Sequence, residues 1–275
     1  MPDNDDHDGR ATIGLELDTA RHHLLRIRRI LERRIVPSLI LDPGQEIPSS
    51  SQRDNREGQS DALVAMALQG REEQARAELR ALSDRGMGFE QLQLGLLAPA
   101  AEKLGHLWES DSLTFVDVTI ATGTLQRLMH FVAIDLEDQP LLSDKRHTML
   151  MFQEPKSEHT LGASMATRFF QRAGWHVDYI PGASQAKLIE QVKRRSYDVL
   201  ALSISVTDKS RRAAKLVSAL RKASRNARAI TLGGGPALVR DPLLVSELGL
   251  DAVGTAVAVA PNALDRLVEA QPRAI

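Results

Sequence analysis

From residue 148 onward the chain alternates short apolar runs with amphipathic stretches, and that alternation leaves few folds open. The runs are 148–153, 176–180, 199–203, 229–232 and 252–254, separated by helical patterns near 161–173, 184–196, 209–225, 242–248 and 261–270. Five strands alternating with helices argue for a parallel sheet with helices on both faces, an α/β fold. Such sheets bind ligands at the carboxyl ends of their strands, so the loops after each strand are where a site is expected.

The part before residue 140 has a different texture. Leu17, Ala20, Leu24, Ile27, Leu31 and Ile35 recur every three or four positions, which is one stripe of an amphipathic helix. Arg21, Arg26, Arg28, Arg29, Arg33 and Arg34 occupy its other faces, and Pro37 stops it. Residues 42–60 carry Pro, Gly, Ser and charge with Ile47 as the only large apolar residue, and read as a linker.

Residues 61–136 are helical in pattern throughout. Leu63, Ala67, Ala75, Leu79 and Leu82 mark a first helix or pair of helices, and Phe89, Leu92, Leu96, Ala100, Leu104 and Leu107 mark the next. Thr114 is an N-cap candidate for a further helix with the stripe Phe115, Val118, Thr122, Leu125 and Met129. The expected organisation is therefore an N-terminal helix and linker over 1–60, a small antiparallel bundle over 61–138, and the sheet domain over 145–275.

Composition narrows the chemistry. Cysteine is absent, which removes disulfides, thiolate catalysis and zinc–cysteine sites together. No apolar run is long enough to span a bilayer, and the acidic start is no signal peptide, so no membrane association is expected and a cytoplasmic location fits. A net charge of -1 excludes a broad electrostatic grip on nucleic acid while leaving local patches open. No nucleophile elbow or customary metal spacing is present, so the chain is not expected to be an enzyme.

Three loops are expected at the carboxyl edge of the sheet. The first holds Ser157, Glu158, His159, Thr160, Leu161 and Gly162. The second holds Ser203, Ser205 and Thr207, and the third is Gly233, Gly234 and Gly235 ahead of Pro236. Glycines let a ligand approach the backbone, small hydroxyls hydrogen-bond without filling a pocket, and a histidine at the rim can hold a metal.

His159 and Gly162, then Ser203, then Gly233–Gly235 resemble the pattern of the cobalamin-binding domain family, Asp-x-His-x-x-Gly followed by Ser-x-Leu and Gly-Gly on a five-stranded Rossmann-like domain. The resemblance implies cobalamin as cofactor, His159 as the lower cobalt ligand, and a channel for the nucleotide tail lined by Ser203, Gly234 and their neighbours. Two positions depart from the pattern. The Asp that normally orients the histidine is Ser157, which would accept the same bond more weakly unless Glu154 or Glu158 substitutes for it, and the Leu after the serine is Ser205. A histidine loop in this fold serves haem as well, which is the alternative cofactor.

Upstream, the stretch 104–115 around Trp108 resembles the helical cap that precedes many cobalamin domains, where a tryptophan covers the upper face of the corrin. In the light-sensing adenosylcobalamin repressors of the MerR type, Glu-His follows that tryptophan by ten and eleven residues. Here Val118 and Thr119 stand in those places and Glu109 follows the tryptophan directly, which implies a smaller or aquo/hydroxo upper ligand.

The combination resembles the AerR/PpaA group, regulators of bacterial photosynthesis genes. It implies a light-responsive photoreceptor that acts as an antirepressor, through a partner repressor protein, in transcription regulation. A corrinoid subunit of a methyltransferase system is the competing expectation. The basic helices over 209–228 and 17–36 are candidates for contact with an acidic partner or with DNA backbone.

Overall fold

The computed structural model describes residues 50–136, 147–154, 157, 160–205, 210–254 and 256–270. The expected helix over 17–36 lies outside them. The first helix, α1, covers Ser50–Leu68, so most of the second half of the expected linker is helical. Only 61–68 of it carries a clear apolar stripe, which is why the earlier turns read as a linker. α2 covers Glu72–Asp84. α3, Phe89–Leu92, continues through a π-helical turn, Gln93–Leu97, into α4, Ala98–Glu109. α5 covers Phe115–Ile134.

Thr114 caps α5 as its position suggested. Its Oγ1 accepts from the Asp117 amide at 3.2 Å, and the Asp117 carboxylate accepts from the Thr114 amide at 3.0 Å, a reciprocal capping box. The stripe of α5 differs from expectation at its start. Phe115 is 66% exposed and Val118 half-buried, and the core face begins at Ala121 and runs through Leu125, Leu128, Met129 and Val132. The first turn and a half of α5 extends past the packed part of the bundle.

The π turn is fixed from two sides. The Ser60 hydroxyl of α1 donates to the Leu96 carbonyl at 3.2 Å, and Gln93 Nε2 donates to the Met129 carbonyl of α5 at 2.8 Å. A widened turn puts backbone carbonyls out of the i→i−4 ladder, and here a buried hydroxyl satisfies one of them.

Five parallel strands follow: β1 Thr148–Gln153, β2 His176–Tyr179, β3 Val199–Ser203, β4 Ile230–Gly234 and β5 Ala252–Gly254, in the order β2-β1-β3-β4-β5. The intervening helices are α6 Leu161–Arg172, α7 Gln185–Arg194, α8 Ser210–Ala223, α9 Pro236–Arg240, α10 Leu244–Glu247 and, last, α11 Ala260–Glu269. The helix expected over 242–248 is α10, and α9 before it is a short helix that was not expected. Central strands are buried on both sides, with Leu150, Phe152, Leu200, Leu202 and Ala229 in one core together with Leu188, Leu216 and Leu220 of the helices.

The described residues form two compact units. One takes those of 148–158 and 180–275, the other those of 44–147 and 159–179. α6 and β2 thus group with the bundle, where the expected boundary had put them with the sheet. The cause is apolar packing: the Phe169 ring of α6 lies 5.0 Å from Phe89 of α3, and the Arg172 guanidinium sits 4.3 Å from the Phe89 centroid.

One ion-pair group ties α2 to α5. The Glu72 carboxylate accepts from Arg76 Nη2 at 2.7 Å and from Arg127 Nε at 2.6 Å. Burial alone would raise the Glu72 pKa, but hydrogen bonds and charge from Arg127 and Arg76 outweigh it and hold the group below its ordinary value. A folded-state value below the unfolded one gives stability that is full above the unfolded pKa and lost as pH falls through the folded one. Thermal melts are therefore expected to show declining stability through and below the ordinary carboxylate range. Glu72→Gln should flatten part of that decline, by under about 1 kcal/mol because the group is partly solvated. An unchanged slope would assign the decline to other carboxylates.

Candidate functional site

At the carboxyl edge of the sheet, the unit holding β1, β3, β4 and β5 lines up four small or polar residues. Cα partners run Gln153 with Ser203, Ser203 with Gly234, and Gly234 with Gly254. Gln153 is buried, Ser203 and Gly234 half-buried. Among the described residues, a Cβ placed on Gly234 would meet nothing nearer than the Gly254 carbonyl at 3.5 Å, so the described strand ends form a shallow cradle here.

The three glycines do different things, which corrects the expectation of a single glycine loop. Gly233 and Gly234 belong to β4. A Cβ on Gly233 would lie 2.4 Å from Leu250 Cδ1 and 2.7 Å from Leu238 Cδ1, so Gly233 lets apolar side chains close over the strand. Gly235 is the turn: its φ is 111°, and it opens α9. Ser205, half-buried, follows Ile204, whose amide donates to the Gly234 carbonyl at 2.9 Å. That bond continues the ladder one residue beyond β3 and holds the serine segment against the glycine segment. Thr207 lies outside the described residues.

Glu158 and His159 also lie outside them. Around them, the Ser157 amide donates to the Glu154 carbonyl at 3.0 Å. In the unit containing the bundle, Thr160 stands at the N-cap of α6 with Leu161 and Gly162 in its first turn. The Thr160 side chain does not cap the helix; its Oγ1 accepts from Gln126 Nε2 of α5 at 2.7 Å. Tyr179 donates to the Thr160 carbonyl at 3.2 Å, and burial pushes its pKa up to about 12, so the phenol keeps its proton and this bond across the working pH range. The turn that enters α6 is thus anchored by α5 and β2. Among the described residues nothing lies within 4 Å of a Cβ built on Gly162.

The same unit carries Trp108, Val118 and Thr119. Trp108, in the last turn of α4, is 43% exposed and meets Phe115 edge-on with ring centroids 6.4 Å apart. Val116 and Ile120 are exposed beside them, which makes an apolar patch at the start of α5. Val118 is half-buried, while the Thr119 hydroxyl donates to the Phe115 carbonyl at 2.7 Å and is committed to its own helix. The structure therefore gathers Ser203, Ser205 and Gly233–Gly235 in one unit, and Trp108, Val118, Thr119, Thr160, Leu161 and Gly162 in the other.

Residues 154–264 match the family described as B12 binding domain, and residues 59–132 match a second family of the same description. Together they span about two thirds of the chain and take in both the strand-end cradle and the tryptophan-bearing bundle. The chain belongs to the cobalamin-binding family. Cobalamin is its cofactor.

Among solved structures, the monomethylamine corrinoid protein of Methanosarcina barkeri has the same fold, with a TM-score of 0.63 and 16% identity, over 80% of this chain and 99% of that one. Among curated relatives, a Rhodobacter capsulatus protein named "Uncharacterized 20.5 kDa protein in bchF-crtJ intergenic region" is 27% identical over 147 residues, 53% of this chain and 76% of the relative.

The residues present suit cobalamin at the cradle. A slender polar group can lie along Ser203, Gly234 and Gly254 because none of them projects a large side chain, and the flanking hydroxyls offer donors and acceptors. Gly254 and Gln153 were missed by sequence reasoning. Only the strand register puts them in the row, and a glycine ending a three-residue strand carries no signal of its own. Among the described residues no group of three or more His, Asp and Glu is placed to hold a metal.

Proposed function

We propose that this cobalamin-binding protein is a light-responsive transcription regulator of the AerR/PpaA type, an antirepressor that works through a partner repressor of photosynthesis genes. The observation that carries the reading is the curated relative, whose name sets it in the bchF-crtJ photosynthesis region. In this reading His159 is the lower cobalt ligand, with Ser157, Glu158, Thr160, Leu161 and Gly162 shaping its turn. Ser203, Ser205, Thr207 and Gly233–Gly235 receive the nucleotide tail. Trp108, with Val118 and Thr119, covers the upper face of the corrin. The exposed apolar patch of Trp108, Phe115, Val116 and Ile120 supports this last role, since a surface of that kind is costly unless something covers it.

Cobalamin supplies a cobalt centre with an exchangeable upper position and strong visible absorption. The chain's own residues would hold it, His159 as a ligand to the metal and Trp108 as an aromatic cover, and a ligand can bias the protein only by favouring one of its states over another. The chain is a sensor in this reading and not an enzyme. A corrinoid methyltransferase subunit is the competitor, since those proteins carry cobalamin on the same fold.

Purified apoprotein mixed with hydroxocobalamin is expected to give a visible spectrum distinct from that of the free cofactor, with His159→Ala shifted back toward it. The reading of His159 fails if wild type and His159→Ala give the same spectrum. Haemin in a parallel titration should bind far more weakly. A methyl-transfer assay with methylcobalamin-loaded protein separates sensor from carrier, and turnover there would displace the regulator reading.

A further inference from the structure

Charge in this chain is distributed unevenly. Between residues 185 and 228 there are twelve Lys and Arg against three Asp and Glu, although the whole chain carries a net charge of -1. The fold concentrates much of this excess at one place. α7 and α8 both run back toward the amino edge of the parallel sheet, the edge opposite the cradle, and their carboxyl ends meet there. The Arg225 amide donates to the Val192 carbonyl at 3.1 Å, Arg225 Nη1 donates to the Arg194 carbonyl at 3.1 Å, and Asn226 Nδ2 donates to the Tyr197 carbonyl at 2.9 Å.

These bonds bring Lys193, Arg194, Lys222, Arg225 and Arg228 together, all exposed, with half-buried Arg195 beside them over the Tyr197 ring. Three carboxylates among the described residues are placed near these cations, and Arg195 and Arg228 have interactions of their own. Glu190 approaches Arg194 at 3.8 Å on the surface, and Asp251 pairs with Arg221. Asp198 is turned to Thr148, whose amide and hydroxyl it accepts from at 2.8 and 2.9 Å. Arg211, Arg212 and Lys215, also exposed, continue the positive surface along α8.

What surrounds the cations identifies the partner. Among the described residues of 185–228 there is no exposed large hydrophobic side chain, since Tyr197 is buried and Leu188, Leu216 and Leu220 face the core. A protein interface needs a desolvated apolar or aromatic anchor at its centre, and single-stranded nucleic acid needs exposed rings for its bases to stack on. Neither is present. A surface of fixed cations without apolar content matches phosphates, where affinity comes from counterion release and carries little sequence information.

We infer that the amino edge of the sheet domain is a docking surface for the phosphate backbone of duplex DNA, independent of base sequence and separate from the cobalamin site. It would add affinity for DNA without choosing the site, leaving sequence choice to a partner. The inference does not rest on light sensing or on the AerR/PpaA reading, because the surface is complete without cofactor.

The test is fluorescence anisotropy of full-length protein, with and without hydroxocobalamin, against two labelled duplexes of unrelated sequence. Both should bind alike with either form of the protein, and log Kd should rise with log salt with a slope of about 4 to 5, as for about five phosphates. The double variant Lys193→Glu/Lys222→Glu replaces two exposed side chains in the last turns of α7 and α8, and a melting curve checks that it stays folded. It should weaken binding at least about tenfold near 100 mM salt and lower the slope by about 2. Arg71→Glu/Arg240→Glu, with the same net charge, should bind like wild type. The inference is overturned by no duplex binding at low salt, by equal losses in both double variants, or by stronger binding of an oligoglutamate peptide or a single strand than of the duplexes.

Discussion

Gly235→Ala is expected to destabilise the sheet unit by about 3 kcal/mol or more and to abolish cobalamin binding with it. Two costs coincide at this position. Its φ of 111° lies where an L side chain is strained by about 1–3 kcal/mol. An added Cβ would also sit 2.3 Å from the Ile204 carbonyl oxygen, 3.1 Å from its carbon and 3.2 Å from its nitrogen. Those are backbone atoms, and they cannot step aside, because the Ile204 amide is bonded to the Gly234 carbonyl and the Ile204 carbonyl accepts from the Ala237 amide at 3.3 Å. Relieving the clash means parting β3 from β4 at the rim. Urea unfolding of the variant checks this, and a midpoint equal to that of wild type would show that the turn can rearrange cheaply.

Gly234→Leu should do the opposite, sparing the fold and removing the ligand. The nearest atom to a Cβ here is the Gly254 carbonyl at 3.5 Å, an ordinary contact, so Gly234→Ala should stay within about 1 kcal/mol of wild type. A leucine at the same position would fill the cradle between Ser203 and Gly254. Hydroxocobalamin affinity is expected to fall by about tenfold for Ala and a hundredfold or more for Leu, roughly 1.4 and 2.7 kcal/mol. Spectral titration together with a melting curve separates the two effects. Unchanged affinity in a folded Gly234→Leu protein would move the nucleotide tail elsewhere.

The contrast between these neighbours shows how far sequence reasoning could go. The sheet was legible because its central strands are continuous apolar runs, as in 148–153 and 199–203, which parallel strands buried on both faces require. The cap at Thr114 was legible because Thr and Asp three residues apart are what a capping box needs. The glycine run was seen but misread. Glycine has no preference for strands, so β4 seemed to stop at Leu232, whereas Gly233 and Gly234 are its last residues. The start of α5 was misread for a different reason: helical periodicity finds a stripe but does not say where along it the core ends, and Phe115 lies past that end. The π turn left no mark, since one extra residue in a leucine-rich helix shifts the period without breaking it.

That extra residue has a consequence for Trp108. Each residue of an α-helix turns the chain by about 100°, so a helix that has absorbed one surplus residue delivers everything beyond it on a different side. Without the widened turn at Gln93–Leu97, eleven residues earlier, the indole would leave α4 about a quarter-turn or more from its present direction. The bond from Ser60 to Leu96 and the amide of Gln93 can thus be regarded as a setscrew. Remote from the tryptophan, they fix the angle at which the bundle offers it.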